Sequence, residues 1–268
     1  MSRPMGWLAL ALLLTVATCV SAQTELERAR QMLLEFDQQV HESAEAARRE
    51  GRQPEFRWEG YNRRLLQVQG LINQGIVSAL DRQPRPSGQE LQNELREVVS
   101  LGVGPETKAG AFSFQTATRK LYVVAYALGV LAANSRSWIG VFGCQGEGKA
   151  CGLLASVENS LPDKTIAVQP LSHPGEPGLT FLAYGINWGD AHNRLTVIAY
   201  SFAGQKLKAI WSHADLPQGQ VKVRDGKIEL DFLSSPLGPG YRSVHAVTEV
   251  YRLTSAGVRL ESTRRAKQ

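Results

Sequence analysis

From residue 109 onward the chain is a succession of short β-branched and aromatic segments separated by turn signals, a pattern that restricts this part to an antiparallel β architecture. The segments are 112–116, 120–127, 137–142, 153–157, 165–168, 179–184, 194–202, 206–211, 220–223, 227–232, 244–253 and 258–261. Ala203-Gly204, Asp225-Gly226 and Ala256-Gly257 sit at turns between them. Asp225-Gly226 is the strongest of these signals. It stands between Val221-Lys222-Val223-Arg224 and Lys227-Ile228-Glu229-Leu230, and a type I′ hairpin turn needs positive φ at both central positions.

The preceding stretch is of another kind. From Gln23 to Leu101 there are 11 Arg, no Lys and 13 acidic residues, a balance of −2, whereas the chain from Gly102 onward carries +6. The shift coincides with Gly102-Val103-Gly104-Pro105, which marks a linker over 102–108. Thr24 and Glu27 have the spacing of a capping box, and Leu26, Ala29, Leu33, Phe36 and Val40 then share one helical face up to a stop at Gly51 and Pro54. Tyr61, Leu65, Val68, Ile72, Ile76 and Leu80 form a second stripe led by Trp58, interrupted by Gly70 and Gly75. A third run starts at Ser87 with Glu90 three residues on. The fold class expected is α+β. Two to three antiparallel helices over 23–101 precede a mostly antiparallel β domain over 109–262, a sandwich or curved sheet, with a basic tail at 263–268.

Residues 1–22 have the form of a secretory signal peptide. Arg3 is the positive end, 7–16 the apolar stretch, and Val20 and Ala22 the small residues before a cut at Gln23. The expected address is periplasmic or extracellular, with no transmembrane helix in the mature chain. The alternative is a lipid anchor at Cys19, since Val16-Ala17-Thr18-Cys19 is close to a lipobox with Thr18 at the position of the usual small residue. If cleavage follows Ala22, Cys144 and Cys151 are the only two Cys left, an even pair that in an oxidising compartment predicts a disulfide.

The hairpins Tyr200 to Leu207 and Tyr251 to Leu260 share an order: aromatic residue, glycine turn, basic-apolar return. Each resembles the outer hairpin of a blade in secreted β-propeller proteins. The resemblance covers only these hairpins and implies a meander of strands there.

Catalytic signatures do not emerge. Gly143 to Lys149 has the G-x-x-x-x-G-K spacing of a phosphate-binding loop. The metal-binding hydroxyl position is Ala150, however, and Glu147 would stand among the phosphates, so a glycine-rich hairpin without nucleotide is expected. His41, His173, His192, His213 and His245 have no metal-ligand spacing, G-x-S-x-G is absent, and His245 with Glu249 reads as an ion pair along one strand. No catalytic residue, metal or cofactor is expected. The candidate ligand-binding residues are Trp188, Asp190, His192 and Asn193, an aromatic platform beside hydrogen-bonding groups. The positive charge is spread rather than concentrated, which suits anionic envelope surfaces rather than nucleic acid. The function expected is an exported, non-catalytic binding or interaction protein of the envelope or exterior, whose partner is another envelope protein or a glycan. The alternatives are a secreted hydrolase acting on glycan or peptide and an envelope structural or assembly factor.

Overall fold

A computed structural model describes residues 6–53, 58–100, 108–129, 136–144, 149–162, 165–172, 178–188, 193–234, 245–255 and 257–267, with backbone only for 6–24, 58, 188 and 267. Three helices come first: α1 (Gly6–Arg49), α2 (Trp58–Asp81) and α3 (Gly88–Val99). The antiparallel strands follow. They are β1 (Ala109–Gln115), β2 (Lys120–Leu128), β3 (Arg136–Cys144), β4 (Cys151–Glu158), β5 (Thr165–Pro170), β6 (Leu179–Trp188), β7 (Asn193–Ala203), β8 (Lys206–Pro217), β9 (Gln220–Arg224), β10 (Lys227–Ser234), β11 (His245–Thr254) and β12 (Gly257–Lys267). The fold is α+β with the helices N-terminal, as the two kinds of periodicity predict.

One helix boundary differs from the expectation. In the full chain α1 runs through Thr24 from Gly6 without a break, so the capping-box position would open the helix only in a chain cut before Gln23. No proline stands between Gly6 and Arg49, and residues 7–16 are mostly good helix formers, so nothing stops propagation. The C-terminal stop falls where Gly51 predicts it. Gly51 takes φ +66°, its N–H donates to the Arg48 carbonyl at 3.2 Å, and the Arg52 N–H donates to the Ala47 carbonyl at 2.9 Å. That pair of bonds is a Schellman motif, which needs a left-handed residue at its centre.

Helices α1 and α2 form an antiparallel hairpin. Ser78 donates to Glu25 at 2.9 Å near one end, and the Phe36 and Tyr61 rings lie 4.6 Å apart near the other. Gly75 is explained by this closeness, since a Cβ there would stand 2.7 Å from the Leu26 side chain. Leu33, Phe36, Leu65 and Ile72 are buried on the facing stripes. Gln38 is exposed and bonds Glu42 at 2.8 Å. In α3 the capping box is complete: Ser87 Oγ accepts from the Glu90 N–H at 3.2 Å, and Glu90 accepts from the Ser87 N–H at 2.6 Å.

The strands make three four-stranded meanders, ordered β1-β2-β3-β4, β5-β6-β7-β8 and β12-β11-β10-β9. Side-chain parity assigns each strand's two faces to two different layers. In β2, Tyr122, Val124 and Tyr126 pack with the helices, whereas Leu121, Val123 and Ala125 pack against the second sheet. In β7, Ile198, Tyr200 and Phe202 meet the first sheet, and Leu195, Val197 and Ala199 meet the third. The layers therefore run helices, first sheet, second sheet, third sheet. Strands β2 and β3, covered on both faces, are almost continuously buried. Strand β9, covered on one face, alternates, with Gln220, Lys222 and Arg224 outward. At the β1–β5 margin Gly110 permits close contact, because a Cβ there would sit 3.0 Å from the Ala167 Cα.

The β9–β10 turn has positive φ at both Asp225 (49°) and Gly226 (71°), as its sequence requires. The basic tail expected over 263–268 is instead strand as far as Lys267. Arg264 and Arg265 stand opposite Thr248 and Val247 of β11, and a charged edge strand of this kind resists further pairing. The linker expected at 102–108 lies, except for Lys108, outside the described residues.

Three carboxylates held below their ordinary range tie surface features together. Asp231 is lowered by the Thr248 hydroxyl and by Lys222, Glu261 by Arg252 and Lys227, and Glu90 by Ser87 at the helix cap. Their folded-state affinity for protons is below that of the unfolded chain. Their stabilisation is therefore complete only above the ordinary carboxylate range, from about pH 5 upward, and is lost as pH falls through the depressed values. Denaturant midpoints should hold between pH 7 and about pH 5 as far as these groups are concerned, then decline towards about pH 2.5. A midpoint that rises on acidification would contradict this.

A cationic groove at the disulfide end of the first sheet

The candidate ligand loop is only partly visible. Trp188 ends β6 and stands opposite Asn193, which opens β7, so both belong to strands rather than to a loop. Asn193 is half-buried, and its carbonyl accepts from the Gln218 N–H at 2.6 Å. Asp190 and His192 lie outside the described residues. Of the glycine-rich segment, Gly143 and Cys144 end β3, and residues 145–148 lie outside the description.

Cys144 and Cys151 are bonded, with Cα atoms 4.2 Å apart and in direct register across β3 and β4. The bond closes a short loop, so replacing both residues by alanine should cost about 2–3 kcal/mol on the chain-entropy estimate. Mass-spectrometric mapping of the denatured, unreduced protein should find neither thiol alkylated. Full labelling of both would contradict the bond.

Beside this disulfide lies a concavity of about 410 Å³, bordered by Cys144 and lined by Gln83, Arg85, Gln115, Thr118, Arg119 and Lys120. Three turns distant in sequence converge on it. Arg85 stands in the α2–α3 connection between Pro84 and Pro86. It donates Nε–H to the Leu80 carbonyl at 3.2 Å and Nη2–H to the Lys149 carbonyl at 2.7 Å. Arg119 stands in the β1–β2 turn. It donates Nη2–H to the Gly204 carbonyl of the β7–β8 turn at 3.1 Å, and its guanidinium lies 5.8 Å from the Phe202 ring centroid. The Lys120 ammonium lies 5.0 Å from the Tyr122 ring.

The groove is built to hold its shape. Thr116 is buried and organises the β1–β2 turn: its hydroxyl donates to the Arg119 carbonyl at 2.8 Å and accepts from the Thr118 and Arg119 N–H groups at 3.3 and 3.1 Å. Asp81, the last residue of α2, accepts from the Cys151 N–H at 2.7 Å and so ties the disulfide hairpin to the helix. No described lining residue is acidic. The arrangement presents cations and amide donors to whatever occupies it.

Two other polar features are of different character. A cleft of about 310 Å³ holds Glu27, Arg30, Arg82, Glu94 and Glu97, mixed in sign, and Arg82 bonds both Glu94 oxygens at 2.7 Å. Between the second and third sheets, Tyr251 donates to Glu249 at 2.6 Å, and His213 Nε2 lies 3.5 Å from the same carboxylate oxygen. Burial, and then the Glu249 carboxylate, push the Tyr251 hydroxyl far above its ordinary range, so it remains a donor. Glu249 thus pairs with His213 across the layers and not with His245 along its own strand. Trp211, 4.8 Å from Tyr251, walls this cluster.

Among the described residues, no group of three or more His, Cys, Asp and Glu is arranged to hold a metal ion, and no helix is long and apolar enough to cross a membrane. No protein-family model and no curated protein matches the chain.

Proposed function

We propose that the protein is exported and acts as a non-catalytic binding or interaction protein of the cell envelope or exterior, meeting its partner through the cationic groove. The groove is the observation that carries this reading. Arg85 and Arg119 are anchored to backbone carbonyls of turns that the fold brings together, beside a disulfide, with no described carboxylate among the lining residues. Anchored side chains lose little further freedom on binding, which favours recognition. Export is supported by the leader ending at Val20-Ser21-Ala22 and by the disulfide, a bond that persists in oxidising compartments. Fractionation of cells producing the full chain tests the reading. The protein should begin at Gln23 and be recovered with envelopes washed at low salt, and the Arg85→Gln/Arg119→Gln/Lys120→Gln variant should appear in the soluble fraction. Cytoplasmic recovery, or equal retention of the variant, would overturn it.

One observation favours a hydrolase acting on glycan or peptide as the second reading. His213 and Tyr251 both meet the Glu249 carboxylate at the boundary of two sheets, which places an imidazole and a carboxylate side by side. Turnover of such substrates that Glu249→Gln abolishes would favour that alternative.

A further inference from the structure

We infer that the groove takes a phosphate group, the moiety shared by free phosphate and by anionic lipid headgroups. This rests on the binding reading above and adds the chemistry of the ligand. Guanidinium N–H groups donate to phosphate oxygens and carry a fixed positive charge, and an ammonium adds a point charge. Arg119 commits Nη2 to Gly204, and its Nε and Nη1 donate to no described residue. Lys120 forms no ion pair with a described residue and rests beside the Tyr122 ring. The nearest described carboxylate along the chain, Asp81, is engaged by the Cys151 N–H. The neutral members Gln83 and Thr118, with the second amide N–H of Gln115, whose first donates to the Thr116 carbonyl at 2.8 Å, supply amide and hydroxyl donors for the remaining oxygens.

The size and position of the groove agree with such a ligand. About 410 Å³ accommodates a phosphate with a short polar substituent. The residues lie on turns at one end of the first sheet, where β1–β2 and the disulfide hairpin both reverse. A group carried on a surface can approach an end of the molecule without meeting the helical layer.

Titration with inorganic phosphate, and flotation with vesicles of phosphatidylglycerol or of phosphatidylcholine, test the inference on the full chain. Wild type should bind phosphate or phosphatidylglycerol vesicles, and Arg119→Gln/Lys120→Gln should weaken binding at least tenfold. Raising salt from about 50 to 200 mM should weaken it further. Lys120→Gln alone breaks no hydrogen bond in the described fold and loses only the contact with the Tyr122 ring, so it should weaken binding while shifting the unfolding midpoint little. Binding to both probes identifies a site for the phosphate group itself, and binding to phosphatidylglycerol vesicles alone identifies a headgroup presented by a surface. Equal binding to phosphatidylcholine, whose phosphate charge is balanced by its own choline cation, binding by both variants equal to wild type, or no binding to either anionic phosphate source would overturn the inference. If phosphate binding fails while envelope retention still depends on the three groove cations, the groove remains the contact site and only its ligand class is wrong. If retention is also indifferent to them, the binding reading falls with it.

Discussion

Replacing Phe181 with alanine should lower stability by about 3–5 kcal/mol, read from the shift in denaturant midpoint at constant slope. Phe181 lies in β6 and is fully buried between the first and second sheets. Its ring stacks on Tyr200 at 5.5 Å and meets Phe112 edge-on at 6.1 Å. Truncation removes a fully buried aromatic ring at that interface and leaves a cavity that the flanking sheets cannot close, because each is also held by a layer behind it. Thr180, the neighbouring residue on the opposite face of β6, provides the contrast. A loss below about 1 kcal/mol for Phe181→Ala would mean that the two sheets are not packed as described.

Phe36→Ala should cost a similar amount, about 3–5 kcal/mol, and Gln38→Ala less than about 0.5 kcal/mol. Phe36 is buried against Tyr61, and the Arg64 guanidinium lies 5.6 Å from its ring centroid. Gln38 points outward on the same helix. The hairpin it stabilises is joined to the first sheet by specific polar bonds. Tyr126, driven far above its ordinary range by burial and the nearby Glu158, donates to Asn73 at 2.9 Å, and Gln69 donates to Glu158 at 2.8 Å. Damage to the hairpin should therefore reach the sheet. If both variants unfold like the parent, the α1 stripe is an open face awaiting a partner.

The twelve strands were legible because short alternation and glycine turns are local signals. All twelve predicted segments match observed strands, with Thr116 one residue past the end of β1 and Val244 outside the described residues. The strand ends were harder to place. Residues 185–188 of β6 contain Gly185, whose close approach to the Pro162 carbonyl is a tertiary fact without a local mark. The capping box at Thr24 marks a helix start for a chain cut before Gln23, and it is silent on the longer α1 of the full chain.

The groove was illegible for a different reason. Arg85, Arg119 and Lys149 are separated by tens of residues, and a single arginine in a turn has no diagnostic spacing. The available hints were local: prolines on both sides of Arg85, and the Thr116–Arg119 turn that fixes the second guanidinium. The pairing of Glu249 with His213 was hidden in the same way, since it crosses between sheets.

Hydrogen exchange measured with and without washed envelope membranes tests most directly whether the groove is the surface that meets a partner. Slowed exchange should be confined to 83–85, 115–120 and 149–151, with the outer face of the third sheet unchanged. Protection centred on β9 to β12 or on the exposed side of the α1–α2 hairpin, with the groove unaffected, would contradict the account.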